Sequence, residues 1–367
     1  MIKVWDYRDE YESEKADIRA AIDGVLTSGQ LILGPSVARF EAAHSASCGR
    51  LWGVGVNSGT DALFLALRAL GVQEGDEVVT VSNTAVPTVA AIVSAGARPV
   101  FVDVDPNSYL MDVSRLEGAI SERTRCILPV HLFGQCVDMA AVRAVARSHD
   151  LRIVEDCAQA QGATFNGEVA GSMSDLAAFS FYPTKILGGF GDGGMICGSD
   201  ESLGGACRRL RMYGMEGRYY SEEHGYNSRL DEVHAAILLT KLARLDGYLA
   251  RRRQIARRYD ELLAGTGLTL PVTAPGNEHA YCLYVVRHPR RDDIVARLAE
   301  EGIVVTISYP WPVHTMRGYR HLGYTTGDFP NTERVQEEIF SLPMYPSLPI
   351  AVVETVAGKL QAILAGL

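Results

Sequence analysis

The sequence has no apolar run long enough to span a bilayer, which excludes a helical membrane protein. Its opening, MIKVWDYRDEYESEK, is charged early and lacks a signal-peptide core, so a cytoplasmic protein is expected. Cysteine is sparse. The seven (Cys48, Cys126, Cys136, Cys157, Cys197, Cys207 and Cys282) are scattered, odd in number and without CxxC spacing. That excludes a disulfide framework and a zinc site, and no metal is expected. Basic residues are outnumbered, with Lys+Arg 35 against Asp+Glu 44 and a net charge of −9, which argues against nucleic-acid or membrane-surface binding. Internal repeats and low-complexity segments are missing too. What is present is 367 residues, 47% hydrophobic and 22% charged, enough for two ordinary domains of a globular enzyme.

Strand-like and helix-like stretches alternate through the first two thirds. Strands are expected at Trp52–Val56, Glu77–Val81, Pro99–Val104, Cys126–Val130, Arg152–Glu155 and Leu176–Phe181. Helices are expected between them, at Asp61–Leu70, Thr84–Ala95 and Met139–His149, after two leading ones at Lys15–Thr27 and from Pro35 onward. Gly194–Gly198 closes the sheet as an antiparallel strand. Alternation of this kind implies an α/β fold with a mostly parallel sheet covered by helices on both faces. A helix is read at Ser202–Met215, with Arg208, Arg209 and Arg211 as solvated charges. Leu230–Arg257 is one long helix or two. A boundary near Leu245 divides a large domain, 1–245, from a small α+β domain, 246–367. The latter is expected to hold strands Tyr281–Val286 and Ile303–Ile307 and helices Asp292–Glu301, Thr332–Phe340 and Val353–Leu364.

Chemistry concentrates in FSFYPTKILGGFGDGGM, Phe179 to Met195. A lysine, Lys185, leaves a buried strand into glycine-rich backbone, where a flat ligand could lie. An amine in an apolar pocket loses its charge more readily and becomes a nucleophile. In RIVEDCAQAQG, Arg152 to Gly162, the strand ends in Asp156. A carboxylate there faces the crevice in which parallel sheets bind ligands. Lysine for a Schiff base and an acid for a pyridinium nitrogen are the pair that pyridoxal 5′-phosphate (PLP) chemistry needs. Taken singly, Asp156 also suits a helix N-cap and Lys185 a surface loop. A phosphate site is offered by Asn57-Ser58-Gly59-Thr60, a strand, a glycine turn and a helix N-terminus. YPWPVHTMRGY, Tyr309 to Tyr319, is a proline-rich aromatic loop of the kind that touches ligands.

Taken together these passages resemble the DegT/DnrJ/EryC1/StrS family of sugar aminotransferases. The matching stretches are NSGTDAL, GDEVVTVSNT, PVHLFGQ, EDCAQAQG, FSFYPTK, GDGGM, GYNSRLDE and SLPMYP, in the family's order and over nearly the whole chain. The resemblance implies an aspartate-aminotransferase-like fold (fold type I) and PLP as cofactor. It implies Lys185 as Schiff-base lysine and proton shuttle, Asp156 at the ring nitrogen and Gln159 at the phenolic oxygen. Gly59, Thr60 and Ser180 would hold the phosphate, joined by Asn227 of the partner subunit in a homodimer with shared sites. N-terminal arms in the family tend to pack on the partner. Arg229, Tyr309 and His314 are candidate substrate contacts. The chain departs from the family pattern at Ala85, where an aromatic residue often stacks on the cofactor, at Ile186, often asparagine, and at His234, often glutamine. Related dehydratases carry histidine in place of the lysine, so Lys185 points to transamination. The expected reaction is amination of a nucleotide-linked, dTDP-type keto-deoxysugar with L-glutamate. The alternatives are amination of a keto-cyclitol and a non-catalytic regulatory homologue.

Overall fold

The protein is described by a computed structural model covering residues 1–217 and 219–367. The polar, aromatic loop Arg218–Tyr226 is by its sequence a candidate determinant of substrate choice, and its first residue lies outside the described residues. Five strands follow one another through the first half of the chain: β1 (Trp52–Val56), β2 (Glu77–Val81), β3 (Arg98–Val102), β4 (Thr124–Ile127) and β5 (Arg152–Asp156). A short hairpin, β6 (Thr164–Phe165) and β7 (Glu168–Val169), precedes β8 (Leu176–Ser180) and β9 (Gly194–Gly198). Seven of these form one sheet in the order β1-β9-β8-β5-β4-β2-β3. Only β9 runs against the rest, pairing antiparallel with both β1 and β8. β1, β2, β8 and β9 are buried along their whole length. Continuous apolar runs such as VVTV and LAAFS are what a sheet covered on both faces requires.

Helices cover it. α1 (Arg8–Ser28) starts a full two turns before the expected Lys15, because its first turns are polar and carry no apolar period. α2 (Pro35–Ser47), α3 (Gly59–Ala69) and α4 (Val86–Ser94) follow, the last shorter than expected at both ends. The expected helix from Ser202 runs from Glu201 and ends at Leu210, and Arg211 is not solvated. It is buried, donating to the Gly55 carbonyl at 2.9 Å and pairing with Glu41. Of the two options for Leu230–Arg257, the chain takes two helices, Glu232–Leu242 and Leu245–Leu263.

A second core gathers Ile255, Tyr259, Tyr284, Leu298, Phe340 and Leu360. Here β10 (Asn277–Glu278) adds to the β6–β7 hairpin, while β11 (Tyr284–Arg287) pairs antiparallel with β12 (Ile339–Leu342). Two expectations fail in this region. Ile303–Ile307 makes only isolated bridges, Ile303 to Ile2 and Thr306 to Ser341, rather than a strand. The helix read to Phe340 stops at Glu338, and IFSL turns into β12. The first residues are tied to the body of their own chain. Ile2 donates to the Gly302 carbonyl and accepts from Val304, both at 2.8 Å, and the Met344 N–H reaches the Val4 carbonyl at 3.1 Å.

Candidate active site

The carboxyl ends of β1, β2, β5 and β8 open into one cavity of about 610 Å³. Each strand delivers a different group. Beyond β1, Ser58 caps α3, its hydroxyl accepting from the Asp61 N–H at 3.1 Å, so Gly59 and Thr60 stand in the first turn with free N–H groups and a positive helix end. Gly59 must be glycine for a local reason: a Cβ there would meet the Ser180 Cβ at 2.7 Å. Closeness of α3 to the end of β8 is therefore what brings Ser180 beside the anion-ready turn.

β8 ends at Ser180. The chain then turns, with the Lys185 N–H returning to the Tyr182 carbonyl at 2.8 Å. Phe181 clamps the base of the glycine loop, donating to Gly193 and accepting from Gly189, each at 2.8 Å. That clamp fixes where the Lys185 side chain leaves the backbone, on the cavity wall. Among the described residues its ammonium has no hydrogen-bond or ion-pair partner.

Asp156 ends β5 and is 5% exposed. Its Oδ1 accepts from the Ala158 N–H at 3.1 Å and its Oδ2 from the Thr88 hydroxyl at 2.8 Å. Burial pushes its carboxyl above the usual range, opposed by those two hydrogen bonds and by the charges of Lys185 and His131. Gln159 also faces the cavity. Its carbonyl accepts from the Phe133 N–H at 2.8 Å, which orients the amide, and its NH₂ donates to the Tyr309 hydroxyl at 2.9 Å. Tyr309 thus contributes from the C-terminal part, and burial raises its phenol well beyond the ordinary range.

The arrangement can bind a flat, anionic, aldehyde-bearing molecule. A helix N-terminus takes the anion, a carboxylate waits where a protonated ring nitrogen can meet it, and an amine is free to add to the aldehyde. The donor set fits PLP without rearrangement. Ala85 lies on the wall where the family often has an aromatic ring, so the face it leaves is lined by Ala85, Val86 and Pro87.

Three expected residues stand outside this cavity. His314 is one. Its ring is buried against Phe329, with Nδ1 2.7 Å from the Ser82 hydroxyl and Nε2 3.1 Å from Glu333, so it closes a joint between Ser82 and Glu333. Asn227 is exposed at the surface, its backbone carbonyl accepting from Asn57 at 3.0 Å. Arg229 lies over the Tyr213 ring at 5.7 Å. Other wall residues were not expected: Thr88, Tyr182, Asp192, Ser308, and Val4 and Trp5 from the first strand-like residues. Thr88 had a weak signal, standing one helical turn after Thr84 in the first turn of α4; Trp5 had none.

Residues 12–361 match the DegT/DnrJ/EryC1/StrS aminotransferase family. The chain belongs to that family. It is 55% identical over 370 residues to a dTDP-3-amino-3,4,6-trideoxy-alpha-D-glucose transaminase of Micromonospora megalomicea subsp. nigra, with 99% of each chain covered. Its fold is that of Streptomyces venezuelae DesV in complex with a ketimine intermediate, at a TM-score of 0.96 and 43% identity over 98% of this chain and 97% of that one. It also matches ntda from Bacillus subtilis with bound cofactor PMP, at a TM-score of 0.90 and 29% identity over 96% and 82% of the two chains. The aminotransferase-type α/β architecture expected from the motifs is the observed one, and Lys185 and Asp156 line a single cavity.

Proposed function

We propose that the protein is a PLP-dependent transaminase that converts a dTDP-linked keto-deoxysugar to the amino sugar, with L-glutamate as amino donor. The observation that carries this is the convergence of Lys185, Asp156 and the Gly59–Thr60 helix end on one cavity. The name of the 55%-identical relative supports a dTDP-linked hexose aminated at carbon 3.

When bound, PLP supplies a ring that accepts the electrons released when a proton leaves the amine-bearing carbon. The chain does the rest. Gly59, Thr60 and Ser180 would hold the phosphate, Gln159 would face the phenolic oxygen, and Asp156 would keep a proton at the ring nitrogen. Lys185 Nζ would hold the cofactor by its aldehyde carbon until the substrate amine displaces it, and the freed amine would then be the base that removes the proton from the amine-bearing carbon and the acid that returns one. Asn227 of the partner subunit would complete the phosphate site, and Arg229, two residues further along the chain, remains a candidate substrate contact. Support comes from the exposure of Asn227 outside its own cavity, and from exposed Leu31, Ile32, Tyr182, Phe190 and Tyr213, a surplus of apolar surface that a homodimer would cover.

The test is direct. Purified protein reconstituted with PLP is incubated with L-glutamate and dTDP-linked 3-keto- and 4-keto-6-deoxyhexoses, and products are read by mass and NMR. A dTDP-3-amino sugar with stoichiometric 2-oxoglutarate is expected. Failure with every dTDP-sugar, alongside turnover of a keto-cyclitol, would overturn the substrate assignment.

A further inference from the structure

We propose that Thr88 and Thr84 are positioning residues: a two-hydroxyl chain that keeps the Asp156 carboxylate an anion and aims it at the ring nitrogen. The proposal rests on the reading of the cavity as a PLP site.

The geometry is continuous. The Thr84 and Thr88 hydroxyls are 2.8 Å apart, and the Thr88 hydroxyl is 2.8 Å from Asp156 Oδ2. All three residues are buried, at 1%, 1% and 5% exposure. Thr84 stands just before the extended residue Ala85 that caps α4, and Thr88 in the first turn of α4, so the two hydroxyls meet across the helix start. Each hydroxyl has one proton to donate. When Asp156 is ionised, Thr84 donates to Thr88, Thr88 donates to Asp156, and every proton has an acceptor. If Asp156 were neutral and donated to Thr88, the chain would reverse. The Thr84 proton would then have no acceptor among the described residues, in a place where an unmet donor is costly. The chain's direction therefore opposes a proton placed between Asp156 and Thr88, and its contact favours the anion, because a charged acceptor holds the Thr88 hydrogen bond more strongly than a neutral one. Ala158 occupies one lone pair of Oδ1, and Thr88 one of Oδ2, which leaves the remaining pairs for the cavity side.

Other groups face the same carboxylate. Lys185 and His131 favour its charge, while Cys157 and the Tyr309 phenol, pushed up chiefly by burial, are raised a little further by it. None of them is changed by substitution at Thr88 or Thr84. The effect of the hydroxyls can therefore be read separately.

The experiment uses the full chain reconstituted with PLP labelled at the ring nitrogen with ¹⁵N, and follows that nitrogen by NMR against pH, together with PLP affinity. Variants are Thr88→Val, of nearly the same shape, Thr88→Ser, which restores the hydroxyl, and Thr84→Val. Losing one hydrogen bond to a charged group amounts to about tenfold. Thr88→Val is expected to lose its ring proton at a pH about one unit lower and to bind PLP about tenfold more weakly. Thr88→Ser should return both toward wild type. Thr84→Val should move both in the same direction by less. Should Thr88→Val fail to fold, Thr84→Val decides: wild-type titration and affinity there would overturn the chain. Equal impairment of Thr88→Val and Thr88→Ser would also overturn it, since the methyl group and not the hydroxyl would then matter. A wild-type protein that takes up no PLP would sink the cofactor reading along with this one. A wild type that binds PLP beside an unaltered Thr88→Val sinks this one alone.

Discussion

Gly189 faces His234 across a gap that leaves no room for a side chain. An alanine Cβ there would fall 1.7 Å from His234 Nε2 and 2.7 Å from two ring carbons. Ordinary contact begins near 3.4 Å, so the imidazole would have to retreat by roughly 1.7 Å or the loop would have to rise by as much. The ring is buried on the Glu232–Leu242 helix, with its charge disfavoured by burial, and Nε2 has no hydrogen-bond partner among the described residues. Moving it breaks no bond at Nε2, though it disturbs the ring's contact with the Asp192 backbone, and the penalty is at least that of overpacking, about 1–3 kcal/mol. Gly189 is four residues beyond Lys185, and its N–H makes the 2.8 Å bond to Phe181 that closes the loop. Displacing the loop should misplace the lysine, so kcat should fall along with stability. The assay is equilibrium urea unfolding at fixed protein concentration for Gly189→Ala, His234→Ala and the double variant. If the clash is the cause, removing the imidazole relieves it. The double variant should then be less destabilised than the sum of the singles by about 1–3 kcal/mol. Additivity to within about 0.5 kcal/mol would refute the reasoning, because it would mean the two positions do not meet.

Other outcomes follow from the same coordinates. Lys185→Ala should abolish turnover with the fold retained, a loss of at least the 10²–10⁴-fold that an acid–base group contributes, and near-wild-type turnover would end the lysine assignment. Asp156→Asn should lower kcat more than it raises KM, whereas a change confined to KM would mark Asp156 as a structural cap. His279 is buried with its pKa held down to about 3, chiefly by burial, and its Nδ1 accepts from the Tyr281 N–H at 2.8 Å. The unfolded chain takes up that proton below pH 6.5 and the folded one does not, so stability should fall as pH drops from 6.5 toward 3. The slope attributable to His279 is about 1.4 kcal/mol per pH unit. His279→Asn, which keeps an acceptor, should flatten the pH dependence of the urea midpoint, and an unchanged slope would rule His279 out. Finally, mixing subunits of Lys185→Ala with those of Asn227→Ala should recover part of the activity, because shared sites give each mixed dimer one intact pair. Activity remaining at the parental average would place both residues in one chain's site.

The large sheet was legible because its strands are short apolar runs separated by helices with their own period, and β1, β2 and β9 fall where the residues say they should. The Lys185 and Asp156 positions were legible for a related reason. Asp156 ends β5 and Lys185 follows the end of β8 by a short turn, and the carboxyl ends of a parallel sheet share one crevice. What failed was whatever depends on a partner far away in the chain. Ile303–Ile307 has the composition of a strand, but a strand is defined by its ladder, and here only Ile2 and Ser341 come near. Arg211 reads as a surface charge until α2 brings Glu41 against it across 170 residues. His314 reads as an exposed loop residue until Ser82 and Glu333 enclose it.

The same reasoning explains why the cavity's supporting residues were harder to find than its reacting ones. In the roles proposed for them, Lys185 and Asp156 supply chemistry that few residue types can, so their identity is itself a signal. Thr88 would act through a hydroxyl that many threonines carry, and only its 2.8 Å distance from an aspartate 68 residues later distinguishes it. Trp5 reaches the cavity because Ile2 and Val4 are pinned beside Gly302 and Met344, contacts with no trace in local pattern. Reactive groups are marked by type, and the groups that hold them are marked by place. A sequence displays the first directly, and the second appears only when the chain has folded.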